Sequence, residues 1–246
     1  MLSQSLRQLL QDVYKVYDKK APLLLCMKGL ETDTGKRLSE VAVECGFSED
    51  KVAVWLGPGH IQEFTSGKPN CMVIDSKNYN LTVELADKLR SNLIRFYYGD
   101  DLLGNEIGAA SKNVIGIAAG MLDGGGYTAL KGSLMARGAR EISRLIKKMG
   151  GNELSAYGLC HLGDYETTLF SDYSHNRTYG IAYVKGDKFI KSAEGVATCK
   201  ALKLLGEKYG EELPICSAVF DIIYNNKDPR ETFDKLFLRS TRKEFQ

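Results

Sequence analysis

The chain has 246 residues, 43% hydrophobic and 26% charged, which is enough for one large or two modest domains with a sizeable core. Its 33 basic and 31 acidic residues leave a net charge of +2, which argues against a nucleic-acid or membrane surface. The opening MLSQSLRQLLQDVYK is too polar for a signal peptide, and no apolar run approaches the roughly 18 residues of a membrane span.

Residues 1–99 alternate strand-length apolar runs with amphipathic stretches. Strands are predicted at 22–29, 51–59, 70–76 and 92–99, and helices at 2–17, 34–45 and 78–91, with a further helical turn starting at His60. This alternation indicates an α/β domain. Because such a domain normally begins with a strand, the opening helix is interpreted as a crossover helix whose preceding strand is missing from the chain.

From residue 100 onward the apolar spacing is mostly three and four, which predicts helices. They are expected at 101–122, 127–149, 156–168, 176–184, 194–209, 213–225 and 229–238. The predicted organisation is therefore an α/β domain over 1–99 followed by an all-helical domain over 100–246, with the boundary near Gly99.

The six cysteines show no CxxC pair and no metal-binding spacing, so we expect reduced core thiols in a cytoplasmic protein. His161 and His175 lack a third ligand at usable spacing, and no metal site is predicted.

The segment GNEIGAASKNVIGIAAG places glycines at four-residue intervals on either side of Lys112. Residues four apart share a helix face, and each glycine costs about 1 kcal/mol of helix propensity. One interpretation is close packing against another helix. The other is a ligand lying on the bare face with Lys112 pointing at it. A lysine is poorly suited to a packing seam unless it is paired or used.

Further polar candidates follow the strands and the helices. Lys28 ends a strand-like run, where α/β sheets bind ligands, or it is a solvated strand end. The GPGH turn at 57–60 can offer backbone N–H groups to an anion, or it is a plain turn. The polar stretch 161–180 suits a phosphate group, or it is a solvated loop, and Glu194 is a helix cap or a site residue.

Taken together, IGNEIGAASKNVIGIAAGMLDG, LGDYETT, SHNRTYG, EGVATCKAL and DPRE resemble bacterial NAD(P)-dependent glycerol-3-phosphate dehydrogenases, in that family's order and spacing. MKGLETDTGKRLSEV and GPGHIQEF are similar to later segments of its nucleotide-binding domain. The resemblance implies the C-terminal part of a Rossmann-type domain followed by a helical dehydrogenase domain. It also implies NAD or NADP as cofactor and interconversion of dihydroxyacetone phosphate and sn-glycerol 3-phosphate, which feeds phospholipid synthesis.

The resemblance also assigns residues. Lys112 falls on the catalytic lysine, which exchanges a proton with the substrate oxygen. Substrate-binding positions fall on Lys28, Gly57, Gly59, Lys112, Asp164, Ser174, His175 and Asn176. Cofactor-binding positions fall on Lys28, Ile61, His175, Ser192 and Glu194. We expect substrate and nicotinamide to lie against the glycine face of the Lys112 helix, and the resemblance leaves a homodimer open.

Two departures from the family pattern bear on these expectations. The family has Arg where this chain has His175; we expect Arg177 to compensate, so that Arg177→Ala raises the substrate KM. The G-x-G-x-x-G fingerprint is absent. About 80 residues, more than two βαβ units, would precede Met1 in the family. We expect unpaired sheet edges, poor solubility and weak cofactor binding for this chain alone.

Two alternatives remain open from the sequence. One is a different dehydrogenase of the same architecture, acting on a hydroxyacid or a phosphogluconate; the phosphate-suited residues at 174–177 argue against it. The other is a non-catalytic remnant that dimerises or binds ligands, which the missing fingerprint favours and the retained lysine opposes.

Overall fold

The described part of the chain contains one four-stranded mixed sheet. The computed structural model describes residues 3–241 and 243–244. The strands are β1 (Leu23–Leu25), β2 (Val52–Leu56), β3 (Asn70–Ser76) and β4 (Ile94–Tyr98), in the order β1-β2-β3-β4. β1 and β2 are parallel, as are β3 and β4, whereas β2 and β3 are antiparallel. All four strands were predicted, and the α/β class is confirmed.

Helices cover both faces of the sheet because β2 alternates between two apolar layers. Val52, Val54 and Leu56 pack toward α1 (Leu6–Tyr14) and α2 (Leu38–Glu44). Ala53 packs on the other side, with Ile74 and the apolar face of α4 (Tyr79–Leu89). The short α3 (Ile61–Thr65) follows β2. The period of two in β2 therefore creates the two layers.

The second half is helical, as predicted, and is built around one central helix, α5 (Leu102–Gly124), which follows β4 directly. Nineteen of its residues are buried, from Leu102 to Leu122. A helix that is apolar all round is suited to this central place. The helices around it are α6 (Lys131–Lys148), α7 (His175–Lys185), α8 (Glu194–Tyr209), α9 (Pro214–Tyr224) and α10 (Pro229–Phe237).

The helix predicted at 156–168 is wrong. The chain there forms 3₁₀ turns at Glu153–Tyr157 and Leu162–Asp164 and a π-helical turn at Glu166–Phe170. Gly158 interrupts the winding with an extended ψ of −173°. The polar side chains of this segment turn inward and bond to α5, and these tertiary bonds override the local helical pattern.

Close packing explains the glycine face of α5. A Cβ at Gly108 would lie 2.9 Å from the Cβ of His161, and one at Gly116 would lie 2.7 Å from the Cγ2 of Thr168. A Cβ at Gly120 would lie 2.0 Å from the carbonyl oxygen of Arg177 on α7. At Gly104 the obstacle is the side chain of Asp101, at 2.0 Å. The expectation that a ligand lies on these glycines is therefore wrong, since protein occupies the space beside them.

All six cysteines lie in the described part of the chain and carry free thiols. Among the described residues, no helix combines the length and the apolar character that crossing a bilayer requires.

Candidate functional site

A buried cluster of two lysines and one carboxylate joins the two halves of the chain. Lys112 Nζ on α5 lies 3.1 Å from Asp164 Oδ2, and Lys28 Nζ, three residues beyond β1, lies 2.7 Å from the same oxygen. Lys28 also donates to the Gly57 carbonyl oxygen at 2.5 Å. Lys112 is 7% exposed and Asp164 1%. The structure thus brings together three of the predicted site residues.

The charged groups of this cluster shift one another's pKa values. The pKa of Lys112 is lowered to about 8, chiefly because the amine is buried. Asp164 opposes this change, and the positive charge of Lys28 contributes to it. Burial raises the pKa of Asp164, but the two ammonium groups outweigh burial and leave that pKa below its usual range. One carboxylate therefore holds two lysines, and the pKa of one of them, Lys112, is lowered toward neutrality.

Two threonines complete the cluster. Lys112 Nζ donates to Thr168 Oγ1 at 2.7 Å, and Thr168 is 1% exposed. Thr167 Oγ1 donates to Asp164 Oδ1 and to the Asp164 carbonyl. Sequence reasoning did not assign either threonine to the site. The signal was their position in DYETT, three and four residues after Asp164 in a polar stretch.

An open cleft of about 440 Å³ lies beside Lys28, between the carboxyl end of β1 and the helical half. The predicted residues Lys28, His175, Asn176, Ser192 and Glu194 line it, together with Cys26, Met27 and Asn113. Asn113 follows Lys112 on α5 and was not predicted. Five predicted site residues therefore face one cleft, at the sheet edge where α/β folds bind their ligands.

The start of α7 is fixed against α5 and α8. Ser174 is the N-cap of α7, its hydroxyl accepting from the Arg177 N–H at 3.3 Å. Asn176 donates from Nδ2 to Asn113 Oδ1 at 3.0 Å and accepts from the Gly195 N–H at 2.9 Å. These bonds place the positive end of the α7 dipole beside the cleft, which favours an anion there.

Arg177 does not line this cleft. Its Nε donates to Asp123 Oδ2 at 2.7 Å and its Nη1 donates to Asp172 Oδ1 at 2.8 Å. Asp123, near the end of α5, also holds Lys131 at 3.0 Å. The structure therefore gives Arg177 a role in fixing α7 to α5, in place of the expected compensation for His175.

His175 makes weaker contacts with its neighbours than Arg177 does. It is the first residue of α7, and its Nδ1 lies 3.3 Å from the Ser192 carbonyl oxygen. Ser192 precedes α8 and shares the cleft wall with His175. The imidazole is therefore available to a ligand in the cleft.

The GPGH turn approaches the cluster through its backbone. Gly57 and Gly59 have φ angles of 124° and 138°, which only glycine adopts readily. The Gly57 carbonyl binds Lys28, and His60 Nε2 lies 2.9 Å from the Thr167 carbonyl oxygen. His60 was predicted only as the start of a helical turn. Ile61 is 77% exposed at the start of α3 and does not line the cleft.

Glu194 joins the first described residues to α8. It begins α8, and its carboxylate accepts from the backbone N–H of Ser3 at 2.8 Å and from the Ser3 hydroxyl. Ser3 is 3% exposed, so this contact forms one buried side of the cleft.

Other features of the molecule lie apart from this site. Within residues 3–241 and 243–244, no group of three His, Cys, Asp or Glu side chains is arranged to hold a metal ion. A second cavity, of about 390 Å³, lies between α6, α9 and α10, and none of the predicted site residues lines it.

Two family models match the chain. The model of the NAD-dependent glycerol-3-phosphate dehydrogenase N-terminus matches residues 2–82, and that of the C-terminus matches residues 101–234. A glycerol-3-phosphate dehydrogenase [NAD(P)+] of Clostridium botulinum (strain Eklund 17B / Type B) is 36% identical over 250 residues, which cover 98% of this chain and 75% of that protein. The enzyme of that name from Chlorobium phaeobacteroides is 35% identical over 252 residues, with the same coverage.

The fold agrees with this sequence similarity. The crystal structure of glycerol-3-phosphate dehydrogenase from Coxiella burnetii superposes with a TM-score of 0.87 at 26% identity, over 96% of this chain and 75% of that one. The Plasmodium falciparum glycerol-3-phosphate dehydrogenase, at 17% identity and a TM-score of 0.82 over 98% of this chain and 72% of that one, shares the fold. The chain therefore belongs to the NAD-dependent glycerol-3-phosphate dehydrogenase family.

Proposed function

We propose that this protein is an NAD(P)-dependent oxidoreductase that reduces dihydroxyacetone phosphate to sn-glycerol 3-phosphate and catalyses the reverse oxidation. The observation that carries the proposal is a buried lysine, Lys112, whose amine is held by Asp164 and Thr168. The same carboxylate of Asp164 holds Lys28, which lines the polar cleft. Relatives that share at least a third of their aligned residues with this chain are named as enzymes of this activity.

The cleft fits the nicotinamide part of the cofactor by the chemistry of its donors. Lys28 and His175 offer N–H donors to anionic groups, Ser192 offers a hydroxyl, and Glu194 offers a carboxylate to hydroxyl or amide hydrogens. When bound, NADH or NADPH supplies a hydride for the carbonyl carbon. With Ile61, whose side chain is open to solvent, these four residues are the proposed cofactor contacts.

Lys112 is the proposed proton donor and acceptor. In the reducing direction its ammonium gives a proton to the carbonyl oxygen of dihydroxyacetone phosphate, and in the oxidising direction the neutral amine takes the hydroxyl proton. A pKa of about 8 makes both forms of the amine accessible near neutral pH. Asp164 and Thr168 hold the amine in place, so its orientation is set before substrate arrives.

The phosphate of the substrate is proposed to lie at the start of α7. Ser174, His175 and Asn176 occupy the first turn, where backbone N–H groups and the helix dipole favour an anion. Lys28 supplies a positive charge across the cleft, and the backbones of Gly57 and Gly59 form the wall behind it. Asp164 orients both lysines toward the substrate.

The alternative of a non-catalytic remnant is not favoured, because relatives that match 98% of this chain are named as dehydrogenases and because the lysine and the aspartate of the site are both present. A hydroxyacid or phosphogluconate enzyme is disfavoured by the family match. We further propose a division at residue 99 into a nucleotide-binding part and a catalytic part. We place the protein in the cytoplasm, as its free thiols suggest.

A substrate panel tests the proposed function. The purified protein is assayed on dihydroxyacetone phosphate with NADH and with NADPH. In the reverse direction it is assayed with NAD+ and with NADP+ on glycerol 3-phosphate, a set of 2-hydroxy acids and 6-phosphogluconate. We expect turnover of the three-carbon phosphates to exceed that of every other compound. Preferential turnover of a hydroxy acid would refute the proposal.

A further inference from the structure

Two fully buried side chains that the proposed mechanism does not use flank Asp164. His161 and Tyr165 are both 0% exposed, and their rings meet edge to face with centroids 4.8 Å apart. They lie three residues before Asp164 and one residue after it, in the segment that forms 3₁₀ and π turns. Burial of an imidazole and a phenol next to a charged cluster requires that both polar ends be bonded.

The hydrogen bonds fix one arrangement of this pair. His161 Nδ1 lies 2.8 Å from the carbonyl oxygen of Gly108, which can only accept, so Nδ1 carries the proton. The bare Nε2 then accepts from the Tyr165 hydroxyl at 2.7 Å. Burial lowers the pKa of His161 to about 4, which keeps the ring neutral at physiological pH. The pair is thus a chain of directed bonds from Tyr165 to the backbone of α5.

The chain of bonds ends one turn from the proposed proton donor. Gly108 lies four residues before Lys112 on α5, and a Cβ at this position would lie only 2.9 Å from the Cβ of His161, so the glycine leaves room for the imidazole. Asp164 N–H donates to the His161 carbonyl oxygen at 3.0 Å. The distance between Asp164 Oδ2 and Lys112 Nζ is therefore set by how His161 and Tyr165 seat this turn on α5.

We propose that His161 and Tyr165 are positioning residues, which hold the carboxylate of Asp164 at the two lysines by bonding its turn to the Gly108 carbonyl. Neither residue reaches the cleft. The inference deepens the proposed function and rests on it, since it concerns the amine assigned as proton donor there.

The charged groups that face Asp164 make the positioning role of His161 and Tyr165 measurable through the pKa of Lys112. Lys28 faces it from the end of β1 and Lys112 from α5, while the thiol of the adjacent Cys160 stays neutral because burial raises its pKa. Asp164 favours the ammonium form of Lys112, whereas Lys28 and burial disfavour it. If Asp164 withdraws while Lys112 stays buried, the pKa of Lys112 falls, because an opposite charge beside the amine is lost.

The test compares three variants with the wild-type protein. Tyr165→Phe removes one hydroxyl, His161→Ala removes both bonds, and His161→Asn keeps a donor for the Gly108 carbonyl. Tyr183→Phe is the matched control, because its hydroxyl donates to the Ile222 carbonyl at 2.6 Å at the far end of α7. Two readouts are taken: the pH dependence of kcat, and the titration of the Lys112 amine followed by NMR of labelled lysine, assigned by its loss in Lys112→Met.

We expect Tyr165→Phe and His161→Ala to shift the Lys112 midpoint down by about one pH unit, as for loss of an opposite charge. We expect kcat to fall about tenfold or more, with His161→Asn restoring part of both. Tyr183→Phe should lose thermal stability without moving the midpoint. A midpoint that stays at its wild-type value in folded Tyr165→Phe and His161→Ala overturns the positioning role. The NMR titration needs no turnover, so a shifted midpoint in a protein inactive on dihydroxyacetone phosphate would sink the proposed function and leave the positioning role standing.

Discussion

Gly120 lies where the backbone of α7 crosses α5, and replacing it by alanine tests whether close packing explains the bare helix face. The new Cβ would lie 2.0 Å from the Arg177 carbonyl oxygen, whereas real Cβ atoms essentially never come closer than 3.0 Å. The obstacle is backbone and cannot rotate away, so α7 must retreat by about 1 Å. A Cβ at Gly180 on α7 would likewise lie 2.2 Å from the Ile117 carbonyl oxygen on α5, so the two helix backbones are already in close contact.

The size of the effect follows from two opposing contributions. Alanine gains about 1 kcal/mol of helix propensity over glycine. Overpacking against a backbone is expected to cost about 3 kcal/mol, the upper end of the usual range. The net loss of about 2 kcal/mol corresponds to a Tm lower by about 4–8 °C for a chain of this size. Because the start of α7 carries His175 and Asn176, the substrate KM should rise as well.

The assay is thermal unfolding of Gly120→Ala alongside Gly132→Ala, followed by steady-state kinetics of both. Gly132 lies in the first turn of α6, and no atom of the described residues comes within 4 Å of the position that its Cβ would take. The Gly132→Ala variant should therefore keep or raise the Tm. If Gly120→Ala proves as stable as Gly132→Ala, the packing explanation of the glycine face is refuted.

Three further predictions follow from the buried charges. Raising the pH through about 8 should slow ketone reduction and speed alcohol oxidation, because the lowered pKa of Lys112 leaves its amine neutral above that pH; a profile flat across that range in both directions would contradict this. Glu106→Ala removes the buried carboxylate 2.8 Å from the Arg37 guanidinium, which then keeps the more exposed Glu40 at 3.1 Å, and should cost about 3 kcal/mol of unfolding free energy, measured with denaturant, whereas the exposed Glu84→Ala should cost far less. Arg177→Ala should lower the Tm, because α7 loses its bond to Asp123, and should raise the substrate KM only together with that loss of stability; a raised KM at wild-type stability would restore the expected role in phosphate binding.

Much of the fold could be predicted because apolar residues recur at regular intervals along most of the chain. The short apolar run of β2 predicted a strand, and the three- and four-residue spacing of apolar residues in α5 to α10 predicted helices, both close to the observed bounds. The antiparallel pairing of β2 with β3 could not be read from either strand, since pairing direction depends on the path of the chain between them.

The site was predictable where a residue type was unusual in its place, and less so where its partner was distant. Lys112 could be identified because a lysine is unusual on a helix face of small residues. Its partner Asp164 could be identified because it lies in the polar stretch 161–180. What covers the glycines, and where Arg177 points, depends on contacts between residues 45 to 60 positions apart, such as Arg177 with Asp123. No local pattern encodes these contacts, so the spacing alone could not decide between packing and ligand binding.

Lys112 is the proton donor in the proposed reaction, and the variant Lys112→Met tests this role most directly. The rate of dihydroxyacetone phosphate reduction is measured at saturating NADH or NADPH, with Lys131→Met as control, since Lys131 is also buried and paired with an aspartate. We predict that Lys112→Met lowers kcat by about 10²–10⁴, while the folded Lys131→Met keeps a near wild-type kcat. A Lys112→Met protein that reduces the ketone at the wild-type rate would contradict the account.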